Sequence, residues 1–230
     1  GFHRNRLHIR NFNTALTMLK DLEIFEFEID IPTDVELFTL VKTAKLTTNE
    51  LSLCQVFWKK NDRIAKIKAV LPEKESIGVL QVFAGPKGLQ EHFENIHELE
   101  VVIPLSHNGT SKPGKFVPRF PSSQSQNNDL YIKQPQTNKI VAKNSYNFEV
   151  LQHPSKGLNS GSGLMNQDFK LIVKSPSGKH YRLVKDDPLS YGTYEVNIKC
   201  QEVGTYTGLV IGDSGSSWTV FAQWECVSSI

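Results

Sequence analysis

The chain has 230 residues, with 26 lysines and arginines against 24 aspartates and glutamates, and a formal net charge of +2. Hydrophobic residues make up 39% and aromatics 10%, which excludes wholesale disorder. No apolar run approaches the roughly 20 residues of a membrane-spanning helix, so no transmembrane segment is expected.

That length suits one large domain or two small ones, and the charge distribution favours two. Net charge is +4 over residues 1–20, −6 over 21–108 and +4 over 109–230. An acidic middle and a basic end are simplest as separate modules. No block is basic enough to argue for nucleic acid, so no such partner is expected. The start at Gly1-Phe2-His3-Arg4 has neither methionine nor apolar leader and reads as a cut from a longer chain.

Residues 1–22 read as an N-terminal extension, or as a short helix. Ala15, Leu16, Met18, Leu19 and Leu22 fall at helix-compatible spacing. Strands follow over residues 23–108. In Phe25 to Ile31 the odd positions are apolar and the even ones acidic, which puts one face in a core and one in water. Leu37 to Val41 is a second run. Cys54 to Lys60 and Arg63 to Leu71 flank a turn at Asn61-Asp62, because both residues tolerate the positive φ of tight hairpins. Ile77 to Ala84 and Leu99 to Leu105 complete the series, with a short helical turn allowed at 87–96.

Residues 109–128 carry Pro113, Pro118 and Pro121 and then a tract of Ser, Gln and Asn. Proline blocks ladder hydrogen bonds and the tract has nothing to bury, which predicts a linker. A second strand series fills 129–230: Leu130 to Ile132, Asn138 to Ala142, Tyr146 to Leu151, Phe169 to Lys174, Lys179 to Lys185, Tyr194 to Cys200, Gly204 to Ile211 and Trp218 to Val227. In the last, Trp218, Val220, Ala222, Trp224 and Cys226 alternate with their neighbours and read as the inward set. Short strands at regular intervals with turn residues between them indicate a β-sandwich. The fold class is therefore all-β, as two tandem immunoglobulin-like β-sandwiches.

No motif for catalysis emerges. Cys54 lies mid-strand with no histidine beside it, so a buried thiol is the simple reading. An odd cysteine count (Cys54, Cys200, Cys226) argues against a disulfide framework and for free thiols in a reducing cytosol. No Cys/His spacing suits zinc. His92 and His97, the Asp186-Asp187 pair before Pro188, and the Gly157 to Gly163 loop all read as solvated turns rather than acid–base or phosphate sites. Trp58, Trp218 and Trp224 could form a sugar platform, but core packing is favoured on period-two strands. No catalytic residue, cofactor or metal is expected.

One interaction motif is present. Lys115-Phe116-Val117-Pro118-Arg119-Phe120-Pro121 has the basic-x-x-Pro-x-x-Pro spacing that Src-homology-three grooves bind. Lys115, Pro118, Arg119 and Pro121 are its candidate contacts. The favoured reading of the same stretch is that Phe116, Val117 and Phe120 pin the linker onto the sandwiches.

Several stretches together carry a family resemblance. They are Asp129-Leu130-Tyr131-Ile132-Lys133-Gln134-Pro135, Asn144-Ser145-Tyr146-Asn147-Phe148-Glu149-Val150, Gly204 to Ile211 and Trp218 to Trp224, with Cys54 to Trp58 and Gly78 to Gly85 earlier. This order of strands and turns resembles the region downstream of the transglutaminase-like domain in kyphoscoliosis-peptidase-type proteins, in particular the C-termini of fungal cytokinesis proteins. The resemblance implies a non-catalytic interaction and regulatory module at the cell division site (the bud neck or contractile ring). There it would promote actomyosin ring function and primary septum formation. Its partners would be ring and septum-forming proteins, a chitin synthase, and a Src-homology-three domain reached through the linker. The family's Cys-His-Asp set would lie upstream, and no catalytic residue transfers to this chain. The competing expectation is a carbohydrate-binding or adhesive sandwich of a secreted protein, with a row of exposed tryptophans and a glycan at Asn108 in the Asn108-Gly109-Thr110 sequon.

Overall fold

The computed structural model describes residues 7–10, 18–19, 24–87, 98–107, 114–120, 129–152, 170–185, 192–211 and 218–229. Regular structure among them is all strand. The chain divides into two compact units, Gly1–Phe116 and Val117–Ile230.

Among the described residues the first unit has nine strands: β1 (His8–Ile9), β2 (Met18–Leu19), β3 (Phe25–Asp30), β4 (Val35–Lys42), β5 (Thr47–Thr48), β6 (Ser52–Lys59), β7 (Asp62–Ala69), β8 (Ile77–Pro86) and β9 (Glu98–His107). They form two sheets, ordered β1-β3-β7-β6 and β2-β9-β8-β4-β5. In β3, Phe25, Phe27 and Ile29 are buried, as the period-two pattern requires. Outside them, Glu26 pairs with Lys66 at 2.8 Å on the neighbouring β7.

Met18–Leu19 is a strand parallel to β9, although its apolar spacing is also that of a helix. The ladder with β9 supplies backbone partners that short local periodicity cannot reveal. The β6–β7 turn differs by one residue from expectation. Lys59 pairs with Asp62, so Lys60 and Asn61 form the two-residue loop, and the positive φ (58°) falls on Lys60.

The second unit repeats this plan with β10 (Tyr131–Gln134), β11 (Lys139–Val141), β12 (Asn144–Leu151), β13 (Lys170–Lys174), β14 (His180–Arg182), β15 (Val184–Lys185), β16 (Thr193–Cys200), β17 (Gly204–Ile211) and β18 (Thr219–Val227). Its sheets run β10-β12-β16-β15 and β11-β18-β17-β13-β14. In each unit the first strand pairs antiparallel in one sheet, and the next crosses over to lie parallel to the last strand in the other. This is the ABED-against-GFC order of immunoglobulin-like sandwiches, with one strand added at each edge of the GFC sheet. The stretch 179–185, expected as one strand, is divided between the sheets as β14 and β15.

The core of the second unit is built on Trp224, whose ring meets Phe148 of the opposite sheet edge-on at 4.9 Å. The Trp224 indole N–H donates to the Pro135 carbonyl at 2.9 Å. The Tyr206 hydroxyl accepts the Glu202 amide at 3.4 Å, the corner contact that ties β17 back to the turn before it. Disulfide-bearing relatives of the fold place a cysteine two residues after that tyrosine. Gly208 stands there, and the Phe221 ring fills the space: a Cβ on Gly208 would lie 2.7 Å from it.

Candidate interaction surfaces

The stretch 115–120 straddles the boundary of the two units. In the first, Lys115 pairs with Glu50 at 2.8 Å, and the Phe116 amide donates to the Glu50 carbonyl at 2.9 Å. In the second, the Val117 amide donates to Gln136 at 2.8 Å and the Phe120 amide to Phe221 at 3.3 Å, while Arg119 bridges Ala222. Phe116 and Val117 are buried, Phe120 is half-buried, and Lys115 and Pro118 are exposed. These bonds fix the backbone of the stretch, with two of the candidate contacts open to solvent. Pro121 lies outside the described residues. So do His92, His97, Asn108, the Gly157 to Gly163 loop and the Asp186-Asp187 pair.

A shallow cleft of about 400 Å³ opens in the first unit beside Arg10, Asp30, Asp62 and Arg63. Arg10 spans it, bonding Asp30 at 2.7 Å and Asp62 at 2.9 Å, so its charge is matched by carboxylates on two strands. Beneath it, Arg63 is buried against Glu36 at 3.2 Å and donates to the carbonyls of Pro32 and Val35. This guanidinium braces the loop between β3 and β4, a role the sequence did not announce.

The thiols are inward-facing. Cys54, Cys200 and Cys226 are all buried, and none of them forms a disulfide. Burial, with Cys226 nearby, pushes the Cys200 thiol from 9.0 up to about 11. Burial likewise pushes the adjacent Tyr206 phenol up to about 12. Among the described residues no cluster of His, Cys, Asp or Glu is arranged to hold a metal ion. The three tryptophans do not form an exposed row: Trp224 is in the core, Trp58 is half-buried and Trp218 is 37% exposed.

A basic surface that the strand pattern concealed lies on the β13–β14 hairpin. Lys170 and Lys174 alternate on β13, and His180 and Arg182 on β14, with Lys174 opposite His180 and Arg182 opposite Ile172. All four basic residues are exposed. Between residues 170 and 185 there is no acid to offset them.

Comparison with known proteins agrees with this architecture. Residues 123–226 match the family model described as the CYK3 C-terminal Ig-like domain. Over 99% of its length the chain is 41% identical to cytokinesis protein 3 of Saccharomyces cerevisiae, covering 27% of that protein. The chain is thus similar along nearly its whole length to one part of cytokinesis protein 3. Cytokinesis protein 3 of Schizosaccharomyces pombe is 29% identical over 96% of the chain and 26% of its own length. The chain thus spans about a quarter of these cytokinesis protein 3 relatives. The Ig-like family match takes in β10 to β17 and nearly all of β18, but begins after Lys115, Pro118, Arg119 and Pro121. Among solved structures, the Lin-41 filamin domain aligns at a TM-score of 0.29 and 16% identity, over 43% of this chain and 91% of that one. At that score it adds nothing to the strand order.

Proposed function

We propose that the chain is a non-catalytic interaction and regulatory module of a cytokinesis protein, working at the division site to support the actomyosin ring and primary septum formation. The observation that carries this reading is 41% identity to a cytokinesis protein along 99% of the chain. Its strand order favours recognition by surface, since sandwiches present sheet faces and loops rather than a closed cavity. Regulation of a chitin synthase is the output this reading assigns, and any transglutaminase-like chemistry would belong to other parts of the longer protein.

Pull-down with the 230-residue chain from dividing yeast cells tests it. Recovery of ring or septum-forming proteins supports the reading, and recovery of none sinks it. Contact with a Src-homology-three domain through Lys115, Pro118, Arg119 and Pro121 is a separable part of the proposal. Titration of the Lys115–Pro121 peptide onto that domain checks it, and no binding at millimolar peptide removes it.

A further inference from the structure

The β13–β14 hairpin carries its charges on one side of the sheet. Leu171 and Val173 point into the core, so Lys170, Ile172 and Lys174 stand on the outer face. Register sets His180 beside Lys174 and Arg182 beside Ile172 on that face. Continued onto β17 and β18, the first row adds Thr207 and Gln223, and the second adds Leu209 and Val220. Neither row holds an acid. Glu225 lies in the row beyond, two strands from β13, and accepts the Thr205 hydroxyl at 3.0 Å. Ile172, in the middle of the four bases, is buried, so no apolar side chain projects between them.

β14 is also the last strand of its sheet. The Ser175 amide donates to the Lys179 carbonyl at 2.8 Å, and the Leu183 amide to the Leu171 carbonyl at 2.9 Å. Bonded and unbonded pairs alternate along an antiparallel ladder. Lys174–His180 and Ile172–Arg182 are therefore the unbonded pairs. The N–H and C=O groups of His180 and Arg182 point away from β13, along the edge, and among the described residues no strand pairs with that edge. The same two residues offer backbone bonds at the edge and basic side chains on the face.

We propose that an extended acidic peptide adds to this edge as a further antiparallel strand. A residue bonded to His180 or Arg182 across the new ladder presents its side chain on the same face, with Cα atoms about 5.5 Å apart. Carboxylates two residues apart on the incoming strand therefore face Arg182 and His180, and Lys174 lies next behind His180. The residue between them falls on the inner side, beside the half-buried Tyr181, where an apolar side chain fits. The recognised pattern is acid, apolar, acid in extended form. A charged edge discourages pairing with uncharged or basic strands, so the same side chains that keep other strands off select an acidic one. An anionic lipid surface would meet the charges but leave the edge N–H and C=O groups unbonded, and it would find no apolar side chain among the bases to anchor it.

NMR titration of the isotope-labelled 230-residue chain with a capped peptide of alternating glutamate and valine tests this. Shifts centred on the His180 and Arg182 amides are expected, saturating at millimolar peptide or below. Arg182→Glu should weaken binding about 10-fold or more, with an unchanged melting midpoint because the side chain is exposed. If that variant fails to fold, Lys174→Glu carries the same test. The peptide N-methylated at its glutamates keeps its charge but loses the donors of the ladder, and should not bind. No binding at millimolar peptide overturns the proposal. Equal binding of the N-methylated peptide, or of the parent peptide to Arg182→Glu, overturns it too. Binding of the chain to phosphatidylserine vesicles without binding of the peptide assigns the face to a membrane and also overturns it. The proposal rests on the reading of the chain as an interaction module, and a failed titration leaves the pull-down result standing.

Discussion

Arg63 shows how much one side chain can carry. Its guanidinium is buried, bonded to Glu36 and to the carbonyls of Pro32 in the loop before β4 and of Val35 at its start. Removing one partner of a buried pair typically costs about 3–5 kcal/mol, because the other is left without its counter-charge. Arg63→Met is therefore expected to lower the denaturant midpoint of the first unit strongly. The joint Arg63→Met and Glu36→Met variant should lose less than the sum of the two, and a loss under about 1 kcal/mol for Arg63→Met would refute the bracing role. A second test concerns Cys200 and Tyr206. Folding holds both in their neutral forms at pH values where the unfolded chain ionises them. The stability they contribute is complete below pH 9 and is lost as pH rises from 9.0 to about 11 for the thiol and from 10.0 to about 12 for the phenol. The denaturation midpoint should fall across that window, and Tyr206→Phe should flatten its upper part. At pH 8 the raised thiol value alone leaves about 100-fold less Cys200 thiolate, so alkylation should be slow until the chain unfolds. The inward placement of Cys226 was legible from strand alternation, and the burial of Cys54 from its place in mid-strand. The Arg63–Glu36 pair was not, because nothing in the sequence near either residue signals the other.

At the scale of the element, β18 separates what alternation predicts from what pairing imposes. Ala222, Trp224 and Cys226 face inward as the period of two requires. Phe221 is buried as well, because the ladder slips between Gly208 and Leu209 and gives β18 an extra residue opposite β17. Gly208→Ala should press on the Phe221 ring and destabilise the second unit by roughly 1–3 kcal/mol, the usual cost of overpacking. Phe221→Leu in the same chain should recover part of that loss, and additive effects would refute the coupling. The divided edge strands have a similar cause. Residues 179–185 read as one run, yet Leu183 sends its amide to Leu171 and the chain passes to the other sheet. Where strands begin and end was mostly visible in apolar runs and turn residues. Which strand pairs with which was not, since that depends on partners as distant as Met18 and Ser106.

At the scale of the molecule, the two-unit organisation follows from charge and strand count, while the boundary does not. Sequence places a linker at 109–128, but Val117 is buried and its amide bonds Gln136, and the Phe120 amide bonds Phe221, all within the second unit. A fragment spanning 117–230 should therefore unfold cooperatively at a higher denaturant midpoint than one spanning 129–230. The difference should be about 2–4 kcal/mol, from two hydrogen bonds and one buried valine. Equal midpoints would show that those contacts add nothing. The sequence by itself determined the class: period-two alternation and punctuating turns are local properties, and they specify strands with one buried face. Only the tertiary structure decided the faces left over. Whether Phe38, Phe83, Leu99 and Val102 share one outer surface, or Lys170 and Arg182 another, depends on register between strands distant in the chain. Side-chain period fixes two sides for every strand, but only pairing decides which residues of different strands stand together on each.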